Sequence, residues 1–545
     1  MSYKEYDVLI VGYGPTGQTL SALLGQMGHR VAVIERWPSI YPLPRAAVFD
    51  SEIMRVFQAI GIADQIKDQL FPANTYEAIG PEGEKLFQVN LDQKGSSGWQ
   101  ATYYMHQPDV DSALDQKIKS LPNVEVYQGW EALELTEGKE SVSVLLQKME
   151  MVKVGELEGR DEFVALQAKY VVGADGANSL VKKIMKTETE DFGFQARWLV
   201  IDFKPHDPDM NIDNLWGAYQ FIQPQRPGSM IRKLGREHAR FEFMLFPDES
   251  SEEMSTEEKA WQLLAGRVKP TDGNIIRRSV YTFRSHLASD WRRERLIIAG
   301  DAAHLMPPFL GQGLCSGIRD AINLSWKLDL VLKGIADDRL LDLYQIERKP
   351  HVENITKAAI AIGKVVCLQV SENELSGKLI PNMTKFSELN RNDLDADLFR
   401  LKHGILYRDD QQVPVFPAGL LSIQGNVSYE GRTGRFDDII GRGWMIISSA
   451  PMPANLLSSE QQAFLEKLNA RFAHVTPEDG SSAINDVEGA YTRFLNEHDL
   501  EVMVIRPDFY IFGGVASLKE LPKLVDSLRE QLPIQGNIHE DIIGA

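Results

Sequence analysis

The sequence predicts an α/β protein organised on a doubly wound, parallel, Rossmann-like sheet. Three strand–turn–helix pieces carry that expectation: Val8–Gly17, Val171–Ser179 and Arg295–His304 of a 545-residue chain. Each runs from a short apolar strand into glycine, and the second and third add an aspartate at the turn.

The first piece is Val8-Leu9-Ile10-Val11-Gly12-Tyr13-Gly14-Pro15-Thr16-Gly17. Its β-branched, unalternating run suits a strand buried on both faces. Gly12 permits the tight turn, Gly14 lets a pyrophosphate approach the backbone, and Gly17 lets the following helix pack on the strand. The helix reads from Thr16 to about Met27, with Leu20, Leu23, Leu24 and Met27 at helical spacing. Its N-terminal amides and dipole favour phosphate. Val31–Ile34 reads as the next strand. Glu35, 18 residues beyond Gly17, stands where an acid accepts from a ribose.

These glycines alone indicate only a dinucleotide. The third piece narrows the choice, because Gly300-Asp301 places a carboxylate at the carboxyl edge of a strand, where it can accept from a polyol such as ribitol. The competing reading of Asp301 is a helix cap. Met306–Gly313 reads as a loop without regular structure. A long amphipathic helix follows, marked by Leu314, Ile318, Ala321, Ile322, Ser325 and Leu328. Amides at its start would stabilise negative charge on a reduced flavin. Together the two halves indicate FAD. Val171–Ser179, with Asp175-Gly176, adds weight through its order between them.

Other segments follow their patterns. Trp198–Phe203, Gly217–Ile222 and Arg240–Leu245 read as strands of a sheet with one covered face. The chain is expected to be helical from 301 to about 368. Toward the C-terminus, Gly443–Ile447 and Leu500–Ile505 read as strands, and Ser459–Phe472 and Leu521–Leu532 as helices. The expected partition assigns 1–71, 105–189 and 285–370 to the cofactor domain. Residues 72–104 and 190–284 form an interleaved β-sheet substrate domain, 371–405 a linker and 406–545 a C-terminal α/β unit.

On these motifs the chain resembles the single-component, FAD-dependent aromatic hydroxylases (class A flavoprotein monooxygenases). It is most similar to their 3-(3-hydroxyphenyl)propionate hydroxylase and phenol hydroxylase branch. The resemblance is strong over residues 5–370 and weaker beyond. It implies cofactor contacts from Gly12, Gly14, Pro15, Thr16, Gly17, Glu35 and Arg36, from Arg45 in Pro44-Arg45-Ala46, and from Gln107. It implies further contacts from Asp175 and Asp301, and from Pro308, Gly311, Gly313, Leu314 and Cys315 beside the flavin ring. Many relatives carry Asn where this chain has Cys315, which puts a side-chain contact there in doubt. The C-terminal unit resembles the thioredoxin-like domain of the phenol hydroxylases. It contains no cysteine, so redox exchange by it is excluded.

The net charge of −19, with no basic block, argues against nucleic acid or an anionic membrane as partner. Two cysteines, Cys315 and Cys367, suit a reducing cytoplasm better than a disulfide framework. No apolar run is long enough to span a bilayer, and no metal is expected. The expected partners are a small aromatic substrate and O2, with a homodimer left open.

The implied activity is hydroxylation of a phenolic ring, 3-(3-hydroxyphenyl)propionate-like, through a flavin C4a-hydroperoxide, with NADH or NADPH as reductant. A hydroxylase of a larger polycyclic or heteroaromatic substrate and a non-catalytic FAD-fold carrier are the alternatives. Tyr219, on a predicted strand, is the candidate to accept the phenol proton. His304 reads as structural. Arg197, Arg232 and Arg240 could hold a substrate carboxylate, although strand arginines are commonly solvated.

Overall fold

The computed structural model describes residues 4–153, 155–212, 217–369, 398–477 and 483–534, with the backbone of 387–390. Its first sheet sets Lys4–Val11 parallel between Glu156–Gly173 and Val31–Glu35. Leu296–Ile298 and Val124–Gln128 extend it in parallel at either side. In register, Val11 lies beside Ile34 and Gly173, and Gly173 beside Ile298. All three glycine turns therefore leave the sheet at one carboxyl edge, where ligands of doubly wound folds bind. An antiparallel hairpin, Trp130–Glu137 with Val142–Lys153, widens the sheet beyond Glu156–Gly173.

The helix Pro15–Gln26 starts one residue earlier than the spacing suggested, since proline suits the first helical position. It packs with the 20-residue helix Gly313–Leu332 on the sheet. Pro308–Leu310 forms a single 3₁₀ turn within the segment expected to be irregular. Asp342–Val366 then runs as one long helix through Pro350.

The second sheet has nine strands, mostly antiparallel, with Thr189–Pro205 flanked by Gly273–Ala288 and His238–Met244. Gly228–Leu234, Ala218–Phe221 and Thr75–Ile79 follow in order. Residues opposite one another in such ladders share a face. One face carries Leu199, Ile201, Met230 and Phe241 and is buried against Met254, Ala260 and Leu264 of two short helices. The other carries Trp198, Val200, Asp202, Arg240, Glu242, Arg277 and Ser279 and turns toward the first sheet.

A seven-stranded mixed sheet lies in the C-terminal part. Met445–Ser448 is parallel to Arg471–Thr476 and antiparallel to Val502–Ile505, and Ile511–Val515 forms its edge. The expected helix from Ser459 ends at Lys467 rather than Phe472. Asn469 adopts left-handed φ of 51°, a conformation that stops a helix, and Phe472 lies in the next strand. Of the expected linker 371–405, only 387–390 and 398–405 lie within the described residues, and there Leu401 and Ile405 are buried.

Candidate active site

The carboxyl edge of the first sheet is built by close backbone crossings that only glycine tolerates. A Cβ on Gly12, at φ +105°, would stand 2.3 Å from the Ala174 carbonyl oxygen. One on Gly17 would stand 2.1 Å from the Gly12 oxygen. Gly14 differs, because nothing lies within 4 Å of its would-be Cβ. It caps the helix Pro15–Gln26 without a side-chain bond, and no acid occupies the first turn. The first-turn amides thus face open space, as an anion site requires. Glu35 is fixed beside them: its carboxylate accepts from the backbone N–H groups of Tyr13 and Trp37, both at 3.0 Å. Arg36 is exposed and pairs outward with Glu131 at 3.7 Å.

The two distant halves of the motif meet at Thr16. A Cβ on Gly300 would lie 2.6 Å from Thr16 Oγ1, and one on Gly317, in the long helix, 2.3 Å from the same atom. Gly300 donates its N–H to Asp320 at 3.0 Å, and Asp320 also holds His304 at 2.7 Å and Arg348 at 2.9 Å. His304 is therefore buried and committed to the fold. Asp301 has no hydrogen-bond donor of this kind among the described residues. Burial raises its carboxyl pKa while His304, Arg45 and Lys182 pull it down, yet its surface remains open to water. Crowding with access defines a cleft wall, and this disfavours the helix-cap reading.

Arg45 and Gln107 are brought together above that cleft. Gln107 Oε1 accepts from the N–H groups of Arg45 at 3.0 Å and Ala46 at 2.8 Å, and its Nε2 donates to Asp111 at 3.1 Å. Burial pushes Asp111 up to about 7, against the pull of Gln107 and Arg45. The same turn is gripped from the second sheet. Arg240 donates to the carbonyls of Arg45 at 2.8 Å and Pro44 at 2.9 Å and to Asp202 at 2.7 Å, and Arg277 also reaches Pro44 and Asp202.

The loop opposite is held similarly. Gly311, at φ +65°, leaves a gap that Val48 fills, and Phe309 sits edge-on to Trp198 and Phe283 on the second sheet. Pro308 is exposed, and Gly313 has open space around it. Leu314 is half-buried, while Cys315 is buried with its sulfur turned back to the Gly311 carbonyl at 3.7 Å. Open amides at Gly14, the fixed Glu35, the accessible Asp301 and the uncapped start of Gly313–Leu332 together fit an extended dinucleotide carrying a flavin.

The comparisons agree with this geometry. Residues 5–359 match the family model of the FAD binding domain, and 419–531 that of the HcaD C-terminal domain. The chain is 36% identical to a "Probable NADH-specific resorcinol 4-hydroxylase" of Rhodococcus jostii (strain RHA1), covering 96% of this chain and 95% of that one. It is 33% identical to a 3-(3-hydroxy-phenyl)propionate/3-hydroxycinnamic acid hydroxylase of Mycolicibacterium smegmatis, covering 93% and 90%. The chain belongs to the FAD-dependent aromatic hydroxylases. Among solved structures, aklavinone-11 hydroxylase with FAD and aklavinone shares the fold of this hydroxylase, with a TM-score of 0.76, 22% identity and coverage of 97% and 100%.

Not every residue singled out in the sequence lies at the hydroxylase's cleft. Asp175 turns inward, where its carboxylate accepts from the N–H groups of Leu180 at 2.7 Å and Val181 at 3.4 Å and so caps the helix Leu180–Met185. Tyr219, the candidate to accept the phenol proton, is positioned by its ladder. Cross-strand pairing places it with Met230 and Phe241 on the apolar far face of the second sheet, buried and stacked on Phe221 at 6.4 Å. Arg240 and Arg232 are buried rather than solvated, with Arg240 spent on Asp202 and the Pro44-Arg45 turn. Arg232 donates to the Pro208 carbonyl at 3.2 Å, and Arg197 to those of Phe246 at 2.7 Å and Pro247 at 3.2 Å.

Sequence reasoning missed a buried charged chain behind the flavin loop of the hydroxylase. Gln312 Oε1 accepts from Arg319 at 2.7 Å, and Arg319 pairs with Asp50 and Glu52, each at 2.6 Å. Tyr510, just before the C-terminal edge strand Ile511–Val515, donates to Glu52 at 3.1 Å. Farther along, Arg506 pairs with Glu347 at 2.6 Å and Asp508 at 2.7 Å, and Lys327 with Glu347 at 2.8 Å. The available signal was the run of charges, Arg319, Asp320 and Lys327, inside an otherwise apolar helix.

Proposed function

We propose that this hydroxylase uses NADH and O2 to hydroxylate a small phenol, of the resorcinol or 3-(3-hydroxyphenyl)propionate kind. The observation that carries the reading is the junction at Thr16, which makes one cleft of the glycine turn, Asp301 and the loop 306–313. The similarity to relatives named for those two substrates supports the choice of class.

In this reading the N–H groups of Thr16 and Gly17, at the open helix start that Gly12, Gly14 and Pro15 shape, receive the pyrophosphate, Glu35 the adenosine ribose and Asp301 the ribitol. Arg36 flanks the adenosine end. Arg45 and Gln107 border the flavin, and Asp175 supports the edge by capping its neighbouring helix. Pro308, Gly311, Gly313, Leu314 and Cys315 present backbone to the ring, since the Cys315 sulfur is already turned away. When bound, FAD would supply the redox chemistry, hydride acceptance from NADH and activation of O2, with one oxygen atom entering the ring and the other leaving as water. The protein holds the substrate still, excludes water and aims helix amides at the developing charge.

The C-terminal sheet, with its parallel pair followed by an antiparallel pair and the helix Leu521–Gln531, supports a thioredoxin-like unit that serves as a structural brace. Two separate buried cysteines support a cytoplasmic setting. Among the described residues no helix is long and apolar enough to cross a membrane.

The test is anaerobic stopped-flow reduction of the bound flavin by NADH, with and without phenols, joined to product analysis under air. Reduction accelerated by a small phenol, with one oxygen atom recovered in the product, is expected. Equal reduction rates with every phenol, and only peroxide under air, would contradict it.

A further inference from the structure

On the polar face of the nine-stranded sheet, Glu242 holds one carboxylate oxygen on Ser229 and leaves the other without a hydrogen bond among the described residues. We propose that Glu242 accepts a hydrogen bond from a ring hydroxyl of the substrate, and thereby selects an uncharged polyhydric phenol over one bearing a carboxylate. This rests on the small-phenol reading above and names the substrate class more narrowly.

Strand register places Glu242. It lies two residues after Arg240, which grips the Pro44-Arg45 turn, and two before Met244, which packs into the cluster that receives Phe309 from the flavin loop. Side chains two apart on a strand share a face. Glu242 therefore sits between the two segments that border the flavin. Across the ladder its row runs Gln220, Ser229, Glu242, Val200, Ser279. The rows on either side are spent: Asp202 is enclosed between Arg240 and Arg277, and Trp198 lies under Phe309.

The state of the carboxylate points the same way. Its side chain keeps 19% of its surface exposed, whereas Asp202 has 0%. Oε2 accepts from Ser229 Oγ at 2.9 Å. Oε1 faces Arg240 Nη1 at 3.9 Å, beyond hydrogen-bond length, and the hydrogen bonds Arg240 does make go to Asp202 and two carbonyls. A half-buried carboxylate oxygen in this condition gains from any donor that arrives, and a hydroxyl supplies one. A substrate carboxylate at the same point would meet like charge in a poorly solvated site.

The proton also has a destination. A phenol is a weaker acid than a carboxylic acid, so it binds with its proton in place. As a ring carbon takes one oxygen atom of O2, the O–O bond breaking with the electrons of NADH and the second oxygen leaving as water, the O–H becomes far more acidic. The proton then passes to Glu242 Oε1 while the O–H electron pair becomes the carbonyl bond of a dienone. The ring regains aromaticity when the hydrogen on the attacked carbon leaves to solvent and the carbonyl oxygen is reprotonated.

The experiment titrates FAD-loaded protein with resorcinol and with 3-(3-hydroxyphenyl)propionate, reading the flavin absorbance change. The parent should bind resorcinol more tightly. Glu242→Gln should weaken resorcinol on the order of ten- to a hundredfold, as for loss of a hydrogen bond to a charged group, and leave the carboxylated phenol unchanged or tighter. Ser229→Ala, which unfixes Oε2, should weaken resorcinol in the same direction by less, and it decides the matter if Glu242→Gln does not retain FAD. Equal losses for both phenols, or resorcinol affinity unchanged in these variants, would overturn the assignment. If neither phenol perturbs the parent's flavin, the small-phenol reading has failed and takes this proposal with it.

Discussion

The two faces of the nine-stranded sheet come from the same residues in alternation, yet they do opposite work. Phe241 points to a core of Leu199, Ile201 and Met230, while its neighbour Arg240 points to Asp202 and the Pro44-Arg45 turn. The apolar face needs only to exclude water. The polar face must satisfy every charge it buries, and it does so by gripping the backbone that borders the flavin. Where a sheet buries salt bridges rather than apolar side chains, the buried charges indicate which side carries the site.

The sharpest way to break this contrast is to truncate the neighbours separately. Arg240→Ala leaves Asp202 short of a partner and should cost about 3–5 kcal/mol of stability, measured by urea unfolding of the holoprotein. It should also weaken FAD binding, because the turn that carries Arg45 loses its anchor. Phe241→Ala should cost a similar 3–5 kcal/mol through its cavity, with FAD affinity of the remaining folded protein nearly unchanged. Equal losses of FAD in both variants would erase the distinction between the faces.

A smaller effect sharpens the account at the cleft itself. Asp301→Ala should lower FAD affinity by about 2–3 kcal/mol, as for hydrogen bonds to a charged group, with little change in unfolding of the apoprotein. Equilibrium dialysis with FAD measures it, and full retention would show that the carboxylate does not meet the ribitol. Smallest of all is Tyr219→Phe. Lying on the far face, it should change stability by less than about 1 kcal/mol and leave substrate-stimulated NADH oxidation within twofold of the parent. A large loss of turnover would return Tyr219 to the site.

Much of the cofactor cleft was legible in the sequence because its chemistry is local. Gly12, Gly14 and Gly17 are needed by a turn of a few residues, and Asp301 follows a strand directly, so spacing alone reveals them. Glu35 was readable for the same reason. The substrate side was not, because alternation in Arg240–Leu245 announces two faces without saying which one meets the flavin. Tyr219 was chosen from its strand without regard to which face it takes, and the ladder puts it with Met230 and Phe241. Glu242, which the proposal above assigns to the substrate, carries no sequence signal, because a glutamate on a strand usually faces water. Arg319 and Arg506 escaped notice for a related reason: their burial depends on Glu52 and Glu347, far away in sequence, and on a C-terminal unit that closes over the helices. Asp175 shows the converse, a motif plain in the sequence whose carboxylate oxygen meets the first amides of the helix Leu180–Met185.

The central claim is that the aromatic ring lies against the polar face of this sheet. A crystal structure of the FAD-loaded protein with a bound dihydric phenol tests it most directly. The account predicts ring density between the loop 306–313 and Val200, Ser279 and Glu242, with a hydroxyl within hydrogen-bond distance of Glu242. Density on the other side, against Tyr219 and Met230, would contradict it.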